Sequence, residues 1–125
     1  ALSMLGAGTA KVTKQDAMLE SAEHLGYSPE AYQAIGTAEV AGGVGLLAGA
    51  KSRAIGIAAN VGVIAVLTGA VIEHLRAGDG PKVYGAAAAL DALAVVTLVI
   101  QLGDKGEAGQ PRRLTGEGGP RVRAR

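Results

Sequence analysis

Three long stretches with almost no charge constrain this chain more than any other feature. Residues 54–72, AIGIAANVGVIAVLTGAVI, carry no charged side chain; 83–100, VYGAAAALDALAVVTLVI, carry only Asp91; and 31–50, AYQAIGTAEVAGGVGLLAGA, carry only Glu39. Each is close to the roughly 20 apolar residues that cross a bilayer as a helix. None places polar residues at the spacing of an amphipathic soluble helix. A soluble bundle with buried helices is the competing reading, and composition argues against it. Charged residues make up 18% of the chain, against about 25% in soluble domains. The remaining polar residues could hardly cover three all-apolar helices. Aromatic residues, on which soluble cores rely for buried area, are 2%, with no Phe or Trp.

The organisation follows from these runs. Spans are expected over about 1–12, 30–50, 53–76 and 83–102, the first truncated at its start in a sequence that opens on Ala1. The connection TKQDAMLESAEHLGY predicts a short interfacial helix through Ala17, Met18, Leu19, Ala22 and Leu25. Ser28, Pro29 and Glu30 then form a helix start: N-cap, first-turn proline and first-turn acid. GAKSR and RAGDGPK are the tight turns. Residues 103–125, rich in Gly, Pro and charge, predict a disordered basic C-terminal tail. Short connections force antiparallel neighbours. The expected fold is therefore all-α, a polytopic membrane four-helix bundle with antiparallel up-down topology. Lys51, Arg53 and the tail arginines place both ends on the cytoplasmic side. Small residues four apart, Gly45/Gly49, Ala65/Gly69 and Gly85/Ala89, predict close helix packing without fixing an oligomer face.

Few polar residues interrupt the runs, so each demands a reason. At 1.5 Å per residue, Glu39 lies roughly 15 Å into its helix, and Asp91 and Thr68 roughly 12 Å into theirs. A carboxylate at that depth faces the bundle interior and pairs or protonates. If Glu39 and Asp91 met, both would not stay charged, and one would titrate high. These three residues are the intramembrane, proton-handling candidates; fixing helix packing through hydrogen bonds is the plainer role. Asn60 reads as interhelical glue. VIEHLRAGDG sets His74 and Arg76 in a last helical turn, where cations suit the helix dipole. Together with Lys11, and with His24 in the connection, they form an interfacial candidate site at headgroup level. His74 there would exchange protons or bind a quinone carbonyl.

Several chemistries are excluded or disfavoured. The chain has no cysteine, so it forms no disulfide and no thiolate site. Its net charge of +1 gives no nucleic-acid footprint. Two histidines without a third ligand at the right spacing predict no metal site. No nucleophile elbow, phosphate loop or zinc-protease helix occurs.

GAGTAKVTK closing the first run, HLGYSPEAYQAIGTAEVAGGVGLLAG leading through the second, and HLRAGDGPK after the third follow one another in order. In that order they resemble the DoxX-like family of small four-helix membrane proteins. LGYSP stands here where that family commonly has LGYP. The motif positions are Lys11, Glu39, His74 and Arg76; Asp91 and Thr68 rest on depth alone. DoxX-type proteins are named for a subunit of a quinone-linked oxidase, and relatives are associated with thiosulfate:quinone oxidoreduction. The resemblance implies a quinone-facing or accessory subunit of a membrane redox complex in a bacterial cytoplasmic membrane, with no intrinsic cofactor and at most a bound quinone. Without cysteine or a cofactor motif, such a subunit is not a self-sufficient enzyme. Two other readings remain open: a small proton-coupled transporter, as a homo-oligomer, using Glu39, and a structural assembly factor. The lipid bilayer is a partner in all three.

Overall fold

The computed structural model describes residues 1–104, so the expected C-terminal tail lies outside the described residues. Five helices follow one another: α1 (Leu2–Val12), α2 (Asp16–His24), α3 (Pro29–Ala48), α4 (Arg53–Arg76) and α5 (Pro81–Gly103). Among the described residues there is no strand. The all-α expectation holds at this level.

Local chemistry sets the helix ends. At α3 the Ser28 hydroxyl accepts the Ala31 amide at 3.2 Å and Pro29 occupies the first turn, as the sequence predicts. Gly26 and Gly78 take positive φ values of 76° and 79°, which glycine adopts without a Cβ penalty. Each closes the turn after a helix, α2 and α4 respectively.

The long helices run antiparallel along the chain. Val12 sits level with Gln33 and Leu5 with Gly43 between α1 and α3. Gly42 faces Val63 and Gly49 faces Gly56 between α3 and α4. Thr68 faces Asp91 and Arg53 faces Gln101 between α4 and α5. Thus α1 packs on α3, α3 on α4 and α4 on α5, but among the described residues α1 and α5 do not pack side by side.

The buried core is small: Met4 of α1, Val63 and Leu67 of α4, and Ala94 of α5, with Leu46, Ile64 and Leu90 packed around them. Apolar side chains otherwise point outward, among them Leu93, Val96, Val99 and Ile100 of α5. Two helices, α4 and α5, are long and apolar enough to cross a membrane. The 20-residue α3 is long enough but not apolar enough; Glu30, Gln33, Thr37, Glu39 and its glycines dilute it.

Of the small-residue pairs, only the first marks a helix contact. A Cβ on Gly45 would lie 2.7 Å from the Ala59 Cβ, and one on Gly49 2.5 Å from the Gly56 Cα. Gly69 and Gly85 have nothing within 4 Å.

Candidate functional site

The closest helix approach builds the most polar interior site. A Cβ on Gly8 would lie 2.6 Å from the Gly36 carbonyl oxygen, and one on Gly36 2.5 Å from the Lys11 Cβ. With glycine at both positions, α1 and α3 touch through backbone. That contact carries Lys11 inward to Glu39, and its Nζ donates to both carboxylate oxygens at 2.8 and 3.0 Å. The side chains are 12% and 8% exposed. The Lys11 ammonium also lies 5.3 Å from the Tyr32 ring centroid, within cation–π range. The Tyr32 hydroxyl in turn shares a 2.8 Å hydrogen bond with Ser21 of α2. Gln33 donates to the Val12 carbonyl at 2.9 Å, satisfying one acceptor at the end of α1.

A second cluster stands at the turn between α4 and α5. Asp79 accepts from both histidines: His74 Nδ1 lies 2.7 Å from Oδ2 and His24 Nε2 lies 2.8 Å from Oδ1. His74, first, and then His24 hold the Asp79 carboxyl below its ordinary range, against a smaller opposing effect of burial. His24 ends α2, so this cluster ties α2 to a turn 55 residues further along the chain.

The third polar contact links α4 to α5. Thr68 donates to Asp91 Oδ2 at 2.7 Å. The other oxygen, Oδ1, is buried without a hydrogen-bond partner among the described residues. Lower in the same seam, Asn60 is 1% exposed and donates to the Ala94 carbonyl at 3.0 Å and the Gln101 side-chain oxygen at 3.3 Å. It bridges two helices, as expected of it.

These placements revise the sequence reading in three respects. Glu39 and Asp91 do not meet, because α3 and α5 do not pack on one another; each carboxylate has its own partner. Lys11 is not part of a headgroup-level site with His74, since its ammonium is turned to Glu39. Arg76 points away from both clusters, to Glu73 Oε1 at 2.6 Å, and is largely exposed. Asp79, Ser21 and Tyr32 were not among the expected site residues. Asp79 read as a turn former in AGDG, and only its position between two histidines gives it a further role. Among the described residues, no group of three ligating side chains could hold a metal ion.

One family model matches the chain, that of the DoxX-like family, over residues 1–99. No curated protein and no solved structure matches it significantly. The family match covers most of the sequence and includes every residue of the three polar clusters except Gln101, so the chain belongs to the DoxX-like family.

Proposed function

We propose that this DoxX-like membrane protein is a multi-pass accessory subunit of a redox assembly in a bacterial cytoplasmic membrane, with both chain ends on the cytoplasmic side. In this reading the long helices form an antiparallel bundle that docks or stabilises a partner, and the chain carries out no redox step alone.

The observation that carries the reading is the state of Glu39. Its carboxylate receives two bonds from Lys11 in a nearly closed site. A buried charge so completely paired resists removal of its partner. It is suited to fixing α1 against α3. It is poorly suited to binding and releasing a proton or substrate in a transport cycle. The same test bears on a bound quinone. A quinone carbonyl needs a hydrogen-bond donor, and the donors at this site are engaged: Lys11 with Glu39 and Tyr32 with Ser21. That engagement favours an accessory role over a quinone-facing one.

One observation favours a second reading, a small proton-coupled carrier. Asp91 Oδ1 lacks a partner midway along an apolar helix, and unpaired polar groups at such depth often lie on ion or proton paths. In that reading Asp91, not Glu39, is the working carboxylate.

Purification from native membranes in mild detergent, with mass spectrometry of bound proteins and extracted quinone, tests both. Stoichiometric recovery with oxidoreductase subunits supports the accessory role. Recovery alone, together with proton-driven uptake that Asp91→Asn abolishes, replaces it with the carrier.

A further inference from the structure

Where the α3–α4 turn meets the end of α5, the surface opens into a cavity of about 280 Å³. Lys51, Ser52, Arg53, Gln101 and Asp104 line it. Arg53 is held in place: Nε and Nη2 both donate to the Gln101 carbonyl, at 3.2 and 2.6 Å. That contact fixes the guanidinium at the wall and, among the described residues, leaves Nη1 unused. The Ser52 hydroxyl makes no capping bond to α4. Asp104, which ends α5, adds an acceptor among these donors.

Depth adds to the chemistry. The cavity lies at the shared end of α4 and α5, the two helices apolar enough to cross a membrane. If they do cross, it sits at headgroup level. The α5 residues beside it, Val99, Ile100 and Leu102, are exposed and apolar, a surface on which acyl chains can lie.

We propose that this cavity is a headgroup site for an anionic phospholipid whose headgroup also carries hydroxyl groups. Lys51, Arg53 and Ser52 take the phosphodiester, since ammonium and guanidinium groups bind phosphate oxygens through short charge-assisted bonds. Asp104 accepts from the headgroup hydroxyls. A bare phosphate sets more negative charge and fewer hydroxyl donors beside that carboxylate, and a choline headgroup brings a cation against Lys51 and Arg53. The proposal rests on α4 and α5 spanning the membrane, as the proposed function does, but not on a redox role.

The test uses the full chain in nanodiscs of phosphatidylcholine with a minor fraction of phosphatidylglycerol. Native mass spectrometry after gentle release counts the lipids retained. Lys51→Gln is compared with Lys82→Gln, which removes the same charge at the opposite end of α5. Retention of phosphatidylglycerol by the wild type, lost about tenfold in Lys51→Gln and kept in Lys82→Gln, is the expected result. Asp104→Ala should keep the phosphodiester but lose the preference for phosphatidylglycerol over phosphatidic acid. Equal loss in both lysine variants, or no preference over phosphatidylcholine, overturns the site. Displacement by millimolar glycerol 3-phosphate overturns the lipid as occupant and makes the cavity a soluble-anion site. Alkaline carbonate extraction of the same samples separates the two failures: a chain released from the membrane refutes the spanning premise, whereas one retained without lipid preference refutes the site alone.

Discussion

Lys11 and Glu39 are stable in the interior only together. Removing either charge leaves the other buried without its partner, at a cost of about 3–5 kcal/mol, whereas an apolar pair of similar volume is often neutral or better. Lys11→Met and Glu39→Leu should each lower the midpoint of thermal unfolding in detergent markedly, and the double variant should recover most of the loss. Additive losses in the double variant would mean the two residues act independently. Asp79 offers a test in pH. Its carboxyl is held below the ordinary range by two histidines, so its ionised form is favoured by folding. The sign follows: its contribution is present above about pH 4, the ordinary carboxylate value, and is lost as pH falls through the lowered value. Asp79→Asn should flatten that acid limb of an unfolding-against-pH curve; an unchanged limb would assign the acid sensitivity to other carboxylates. At this scale the sequence singled out Glu39 and Lys11 but not their meeting. Its place at the close of the first apolar run put Lys11 at the interface. In the structure the end of α1 sits level with Gln33, about 6 Å inside the start of α3, and a lysine stem reaches Glu39 from there. No local pattern encodes that offset between two helices.

Helices make contact here through what their glycines leave out. Gly8 faces Gly36 and Val40 so closely that a methyl group has no room, while Gly6, one half-turn away, has nothing within 4 Å. Gly8→Ala should therefore drive α1 off α3 and cost about 1–3 kcal/mol, weakening the Lys11–Glu39 pair with it. Gly6→Ala should be neutral or stabilise by up to about 1 kcal/mol through helix propensity. Unfolding of the two variants side by side checks this, and equal effects would refute the close contact. The elements themselves were readable. The apolar runs, the Ser28–Pro29–Glu30 start and the turns AGDG and GAKSR mark the ends of α3, α4 and α5 to within a few residues, because caps and breakers act locally. The α2 helix was also visible, from its periodic apolar residues. What it touches was not, since Ser21 and His24 find partners on elements that approach only after folding.

At the scale of the molecule, charge is unevenly distributed. The Lys11–Glu39 pair and the histidine cluster involve α1, α2, α3 and the far turn, while α5 carries only Lys82 and Asp91 as charged residues and is largely exposed. The expected four-helix bundle rested on loop length, which fixes the direction of neighbours but not which distant helices pack; among the described residues α1 and α5 do not pack side by side. The absence of cysteine makes the spanning reading easy to test with single introduced thiols. Ser52→Cys and Gly80→Cys should react with an impermeant maleimide from opposite sides of a sealed vesicle. Labelling of both from one side would refute the crossing of α4.

His24 waits for a residue that lies 55 positions ahead of it. As the chain is made, α1 and α3 can close on their glycines and lock through Lys11 and Glu39 once α3 has emerged, in the order in which segments of a growing chain become available. The α2 segment is then held at one point, where Ser21 meets Tyr32. Its second anchor does not exist until the α4–α5 turn has been synthesised and placed on the same side. The Asp79 contact thus serves as a completion mark in time: its formation reports that the second half of the molecule has arrived in register with the first.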